Sequence, residues 1–278
     1  MLPTFVIGLR EGVEASLIVG IIGAFLRQQG NRTALRAMWV GVSAAIALCI
    51  ALAVGLQVLD QSLPQRQQEQ LETVVALVAV GMVTFMIVWM RRHAATLASD
   101  LRASAADAAA SGAWALVAMA FFAVVREGVE TAVFMLAAFQ ASGDALSAGL
   151  GALLGIVCAI GIGIGIYYGG VRLNLSRFFR LTAAVLVLVA AGLVSSAIHT
   201  AHEAAWLNSF QAQAVNLEWL VRPGSILSSL ATGVLGIQPE PTVGEVLGWL
   251  LYAIPMLIYV LRPRRPKVRV PSTQPARA

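Results

Sequence analysis

Runs of about 20 apolar residues recur along the whole chain, separated by short polar connections. A helix of that length crosses the roughly 30 Å hydrocarbon core of a bilayer, so each run predicts a membrane-spanning helix. The predicted spans lie near 5–26, 37–59, 72–90, 113–140, 146–170, 179–203 and 244–261. The pattern therefore predicts an all-α polytopic membrane protein with seven transmembrane helices.

Two connections are long enough to have structure of their own. The segment 92–112 is too polar to span a bilayer and predicts a short surface helix. The segment 204–243 mixes tryptophans with prolines, which is compatible with a position along the membrane surface. The expected parts of the single domain 1–278 are a first repeat (about 1–92), a cytoplasmic linker (about 93–112), a second repeat (about 113–203), an external loop (about 204–243), and a seventh helix with a basic cytoplasmic tail (about 244–278).

Composition supports a membrane protein and excludes several other classes. The chain is 59% hydrophobic and 12% charged, whereas a soluble domain carries about 25% charged residues. The formal net charge of +5 does not indicate nucleic-acid binding, because the basic residues do not form one soluble face. Cys49 and Cys158 each lie alone in an apolar run, so the sequence predicts neither a disulfide nor a thiolate metal site.

The basic residues are concentrated in alternate connections and in the tail. Of the 19 lysines and arginines, those outside this set are Arg66 and Arg222 in the opposite loops and Arg10 and Arg126 within spans. Basic residues accumulate on the cytoplasmic side, so we expect the amino terminus outside and the carboxy terminus in the cytoplasm. The outward connections and span ends are acidic, which attracts cations; they carry Asp60, Glu69, Glu72, Asp144, Glu203, Glu218, Glu240 and Glu245.

One short motif occurs twice, as Arg10-Glu11-Gly12-Val13-Glu14 and as Arg126-Glu127-Gly128-Val129-Glu130. The same offset lays spans 2 and 3 approximately over spans 5 and 6, which indicates an internal duplication. Three spans separate the copies, so the two halves have opposite orientation in the membrane. Inverted repeats of this kind place a substrate site at their interface, near the bilayer midplane.

Each copy of the motif brings two carboxylates and one guanidinium to one helix face, because residues three and four apart are neighbours. An ionised side chain at the centre of a span costs roughly 2.5–3.5 kcal/mol, so the two copies are expected to face each other rather than lipid. Gly12 and Gly128 are expected to let the two motif helices approach closely. The alternative is that the arginines merely neutralise the glutamates in buried pairs that fix helix register.

Four carboxylates against two guanidiniums leave a formal excess of two negative charges, which a multivalent cation would neutralise. Carboxylate oxygens suit hard ions, so ferric iron, ferrous iron or manganese are favoured over copper(I). The predicted metal ligands are Glu11, Glu14, Glu127 and Glu130, with Arg10 and Arg126 as supporting charges.

Two further groups lie on the predicted outer side. Glu69 and Glu72 share a helix face and are candidates for the outer access path, or are simply acids at a favourable helix amino end. His199, His202 and Glu203 are candidates for a secondary metal site or a proton relay, or belong to a solvated helix end.

These residues resemble the oxidase-dependent iron permeases, the family of the fungal high-affinity iron permease and the bacterial EfeU-type permeases. The resemblance covers both motifs, Pro64 to Glu72, Trp89-Met90-Arg91, Phe121-Phe122-Ala123, Gly169 to Leu175 and His202-Glu203-Ala204. It implies that the four motif glutamates form the translocation site and that Glu69 and Glu72 occupy the family's E-x-x-E position. It also implies an extracytoplasmic oxidase or iron-delivery protein as a partner.

The function expected from the sequence is import of iron, as Fe³⁺ or Fe²⁺, across the plasma (inner) membrane, with iron as substrate and no organic cofactor. One alternative is a permease of the same build for another divalent metal, such as manganese or lead. A remote alternative is a membrane-embedded metalloenzyme that uses His199, His202 and Glu203. Neither the oligomeric state nor the source of energy follows from the sequence.

Overall fold

The computed structural model describes residues 1–62, 64–93, 96–141, 145–168, 175–216 and 238–262. Within these ranges the chain is helical and has no strand; Gln213 and Thr242 form an isolated β-bridge. The helices are α1 (Leu2–Gln28), α2 (Arg32–Ser62), α3 (Gln65–His93), α4 (Leu97–Ser111), α5 (Ala113–Gln140), α6 (Ala145–Tyr167), α7 (Leu175–Glu203) and α8 (Val243–Leu261). The expectation of an all-α fold is confirmed.

Local sequence explains where several helices begin and end. The turn after α1 contains Gly30 at φ +68°, and α4 is separated from α5 by Gly112 at φ +112°. Glycine adopts these left-handed conformations without the steric cost of a Cβ atom. At the start of α8, the Glu245 backbone N–H donates to the Thr242 hydroxyl at 3.3 Å, which is a side-chain N-cap.

Five of the described helices are long and apolar enough to cross a membrane, so this is a multi-pass membrane protein. They are Arg32–Gly55 within α2, Gln65–His93 (α3), Ala145–Tyr167 (α6), Arg177–Glu203 within α7 and Val243–Leu261 (α8). Helices α1 and α5 have 27 and 28 residues, which is also sufficient length. Each of these two carries the three ionisable residues of one motif.

The predicted spans coincide with helices to within a few residues at most ends. The segment 92–112 contains α4, as expected, although this helix is not only a surface feature, because Ala105 is fully buried and α4 packs on α1 and α5. Residues 217–237, most of the predicted external loop, and the basic tail from 263 onward lie outside the described residues, as does most of the family segment Gly169 to Leu175.

The helices pack across the two predicted repeats rather than within them. The most extensive contacts join α1 to α6 and α2 to α5; α3 packs on α7, and α8 packs on α7. The expected role of the motif glycines is wrong in this respect. A Cβ atom at Gly12 would lie 2.7 Å from the Ala159 Cβ atom on α6, and one at Gly128 would meet Cys49 on α2. These glycines allow α6 and α2 to approach the motif helices closely; they do not lie at the contact between the two motif helices.

Both motifs lie between two apolar cores. One core joins α1 to α3, α5 and α7 and includes Ile7 on α1 and Phe134 on α5. The other joins α1 to α2, α4 and α5 and includes Ile18 on α1 and Val124 on α5. Along α1 and α5 the ionisable residues therefore occupy the interval between these two apolar groups.

Candidate metal-ion site

The first motif copy forms a closed set of ion pairs on α1. The guanidinium of Arg10 places one terminal nitrogen 3.1 Å from Glu11 Oε1 and the other 3.1 Å from Glu14 Oε1. The three side chains are between 0 and 3% exposed. A third contact comes from α3, where the Met86 sulfur accepts a hydrogen bond from Arg10 at 2.7 Å. Both terminal nitrogens of Arg10 thus have partners, whereas its buried Nε atom has no hydrogen-bond partner among the described residues.

The second copy, on α5, is more open. Arg126 lies 2.9 Å from Glu127 Oε1 but 3.6 Å from Glu130 Oε1, and its side chain is 54% exposed. Its guanidinium carbon stands 5.2 Å from the centroid of the Trp89 ring on α3, within the range of a cation–π contact. The two copies are thus equivalent in sequence and unequal in environment.

Three of the four predicted metal ligands come together. Carboxylate oxygens of Glu11, Glu14 and Glu127, one from each, lie within 4.8 Å of one another, and all three residues are buried. We call these residues the carboxylate trio. Glu130 is not part of it and is 18% exposed. In the described part of the chain this is the one cluster of at least three such groups compact enough for a metal ion.

The carboxylate trio has unused ligand capacity. The Oε2 atoms of Glu11 and Glu127 are buried and have no hydrogen-bond partner among the described residues. An unsatisfied carboxylate oxygen in a buried site is costly, so oxygens in this state favour a guest that accepts their lone pairs. Carboxylate oxygens bind hard cations at about 2.0–2.6 Å, and a small movement of three side chains would bring the trio to that distance from a shared ion.

A cavity of about 440 Å³ adjoins two members of the trio. Glu11 and Glu127 are its acidic lining residues, and most of the remaining wall is apolar, with Thr131 and Cys49 as exceptions. It extends along α5 from Val124 to Phe139, toward the end of α5 that the charge pattern places outside. Charge in this cavity is therefore concentrated at one end, at the carboxylate trio.

The histidines at the end of α7 have separate partners. His199 Nδ1 lies 3.1 Å from Glu245 Oε1 on α8, and its Nε2 atom lies 3.5 Å from Glu203 Oε1. His202 instead contacts the Ser209 carbonyl oxygen at 3.2 Å. His199, Glu203 and Glu245 form what we call the outer cluster. The two histidines predicted to act together therefore do not share a ligand set.

The E-x-x-E pair lies in the first turns of α3. Glu69 Oε1 accepts a hydrogen bond from Gln65 Nε2 at 3.1 Å, and both glutamates are half-buried. One turn further, the Thr73 hydroxyl bonds to the Thr200 hydroxyl at 2.7 Å, which places this end of α3 beside the end of α7 that carries His199. The pair and the outer cluster are thus on the same side of the molecule.

Sequence reasoning missed three contacting residues. Met86 and Trp89 hold the two motif arginines from α3, and Glu245, 1% exposed, completes the outer cluster. The sequence indicated Glu245 only as one of the acidic residues of the predicted outer side, not as the partner of His199. Nothing in the local pattern distinguishes Met86 or Trp89 from other apolar residues of a span.

Comparison with known proteins adds a family and close relatives. Residues 1–265 match the model of the "Iron permease FTR1 family". The chain is 42% identical to the "Ferrous iron permease EfeU" of Yersinia pestis over 95% of both chains. It is 40% identical to the protein of the same name from Escherichia coli O6:K15:H31, over 95% of this chain and 97% of the relative. No solved structure matches the chain significantly.

Proposed function

The chain belongs to the iron permease FTR1 family, which makes it a membrane transporter of iron and not an enzyme, and from this premise we propose that it imports ferrous iron through the carboxylate trio. The relatives named above are ferrous iron permeases. Arg10 and Arg126 act as counter-charges that keep the buried carboxylates in place between transport events.

One observation carries the proposal: three buried carboxylates from both motif copies converge, and the Oε2 atoms of Glu11 and Glu127 have neither a hydrogen-bond nor an ion-pair partner among the described residues. A set of ion pairs kept only for packing would be expected to satisfy these oxygens, since a half-satisfied buried network is unfavourable. The two motif copies, with Glu130 counted as the fourth carboxylate, have a formal charge of −2. A divalent ion would neutralise that charge, whereas a trivalent ion would leave an excess of one positive charge in a buried site.

The proposed architecture has seven spans, formed by every helix except α4. Helices α1–α3 and α5–α7 are inverted repeats within one domain, and the exchange of contacts supports this: the pair α1 and α6 becomes the pair α5 and α2 when the repeats are interchanged. Charged residues on α1 and α5 are tolerated in the bilayer because they face each other. The amino terminus is outside, the carboxy terminus is cytoplasmic, and the membrane is the plasma (inner) membrane.

The proposed path begins at the outer side. Glu69, Glu72 and the outer cluster collect the cation, which then passes through the 440 Å³ cavity to the carboxylate trio. Glu130, more exposed than the trio, is a fourth ligand that joins when the ion arrives or leaves. Delivery by an extracytoplasmic oxidase or iron-binding partner is compatible with an acidic outer mouth.

The direct test is iron uptake by the purified full chain in sealed vesicles, with ferrous and ferric iron supplied in separate experiments. We expect ferrous iron to accumulate and ferric iron, kept oxidised and chelated, to accumulate at least about tenfold more slowly, because the site's charge matches a divalent ion. Manganese and lead are added as competitors in the same assay. Faster uptake of ferric iron would contradict the assignment of oxidation state, and preferential uptake of manganese would contradict that of iron.

A second prediction concerns the outer cluster. We expect His199→Ala to lower uptake at limiting iron about threefold, because it removes the link between Glu203 and Glu245, and a partly exposed pair is worth under about 1 kcal/mol. His202→Ala, which removes a contact to a backbone carbonyl only, should change uptake less than about twofold. The initial rate of uptake in the same vesicles measures both variants. A larger loss in His202→Ala would show that the wrong histidine has been assigned to the path.

A further inference from the structure

The two motif arginines differ in their exposure and in their contacts. Arg10 is 1% exposed and is bound to Glu11, to Glu14 and to the Met86 sulfur. Arg126 is 54% exposed, has a close contact to Glu127, and stands 3.6 Å from Glu130. An ion that binds the carboxylate trio must compete with these guanidiniums for carboxylate oxygens. Arg126 is the one that can yield, because it has one carboxylate partner within 3.1 Å, Glu127, whereas Arg10 has two, Glu11 and Glu14.

The surface that would receive Arg126 is already in contact with it. Trp89 lies three residues after Met86 on α3, so both residues are on one helix face, and they contact the arginines of opposite motif copies. The Arg126 guanidinium carbon is 5.2 Å from the Trp89 ring centroid. The indole also stacks on His93, with ring centroids 4.8 Å apart and an interplanar angle of 21°. The indole therefore contacts the more exposed of the two motif guanidiniums.

We infer that Trp89 is a positioning residue of the transport site, which holds the Arg126 guanidinium when the arriving cation takes its carboxylate. The inference rests on the proposed function. Tryptophan is the strongest aromatic partner for a cation, and its face offers no lone pair that would compete with the carboxylates for iron. Without the indole, Arg126 remains on Glu127 and competes with the ion, so the site binds iron more weakly while the rate of a loaded transporter changes little.

The test compares iron uptake kinetics of Trp89→Leu, Trp89→Phe and the wild-type chain in vesicles. We expect Trp89→Leu to raise the half-saturating iron concentration about threefold to fivefold, the value of one partly exposed cation–π contact, with a maximal rate within about twofold of wild type. Trp89→Phe keeps an aromatic face and should stay within about twofold in both parameters. Trp89→Met introduces a large and flexible side chain without a ring. It is a second variant that lacks the aromatic face, and it should behave like Trp89→Leu.

Trp114→Leu is the matched control, since Trp114 is 84% exposed at the start of α5, and its kinetics should equal those of wild type. The inference is overturned if Trp89→Leu and Trp89→Met keep the wild-type half-saturating concentration. It is equally overturned if all three Trp89 variants lower the maximal rate and leave the half-saturating iron concentration unchanged, which is the result of a merely structural role. Failure of the proposed function gives a different result, because the wild-type chain would then import no iron or would import it without Glu127.

Discussion

Replacing Glu127 by glutamine is expected to reduce iron uptake at least about a hundredfold. The substitution keeps the shape of the side chain, removes the negative charge and replaces one of the two carboxylate oxygens, of which Oε2 is buried and unpartnered among the described residues, by an amide nitrogen. Loss of one charged partner from a buried site costs about 3–5 kcal/mol, and a hundredfold change in binding needs only about 2.7 kcal/mol. Glu11→Gln should have a comparable effect, because the same oxygen is unpartnered there. Radioactive iron uptake in vesicles measures both.

Asp107→Asn provides the matched control for this change of charge. Asp107 is an exposed carboxylate on α4, away from both motifs, and its neutralisation should leave uptake within about twofold of wild type. Size-exclusion chromatography of each variant establishes that the amount of folded protein in the membrane is unchanged. Undiminished uptake in both Glu11→Gln and Glu127→Gln would remove the basis for the carboxylate trio as the transport site.

The sequence was sufficient to predict that the two motifs converge, and the reason is energetic. Six ionisable side chains in the middle of apolar helices have no low-cost position except against each other. The spacing of three and four residues then predicts which side chains share a face. It does not predict how far one helix is rotated or shifted against the other. For that reason Glu130, equivalent to Glu14 in the repeat, was expected in the site and lies outside the carboxylate trio.

The unequal environments of Arg10 and Arg126 could not be predicted from a duplicated motif. The motif residues are the same in both copies, but on α3 Met86 contacts Arg10 and Trp89 contacts Arg126. Among the described residues, α7, the equivalent helix of the proposed second repeat, makes no such contact with either arginine. The asymmetry of the site therefore originates in a long-range helix contact. Such contacts leave no periodic signal in the sequence.

The sequence did not predict which helices α2 and α6 pack against. Glycines on these helices contact the backbone of the helix from the other repeat: Gly155 on α6 faces Phe5 and Leu9 on α1, and Gly41 on α2 faces Val117 and Phe121 on α5. Each motif helix is thus held by a helix of the other proposed repeat. Close backbone approach of this kind is a main source of helix association in lipid, so the position of the carboxylate trio depends on these glycines.

Gly155→Ala is accordingly expected to lower the thermal midpoint of the purified protein in detergent by about 5–10 °C. A Cβ atom at this position would lie 2.7 Å from the Leu9 backbone nitrogen and closer still to the Phe5 carbonyl oxygen. Backbone atoms cannot move aside as a side chain can, and overpacking of this kind costs about 1–3 kcal/mol or more. For a chain of this size 1 kcal/mol corresponds to about 2–4 °C. Gly41→Ala should act in the same way through the Val117 carbonyl oxygen.

Each helix contains its own control. Gly161 on α6 and Gly55 on α2 have no atom within 4 Å of an added Cβ, so alanine there should leave the midpoint unchanged or raise it slightly, since alanine favours a helix over glycine by about 0.5–1 kcal/mol. The contrast between Gly155 and Gly161 separates a packing effect from helix propensity, because the chemical change and the helix are the same. If Gly155→Ala and Gly41→Ala were as stable as their controls, α6 and α2 would not approach the motif helices as closely as described, and the convergence of Glu11, Glu14 and Glu127 would lose its structural support.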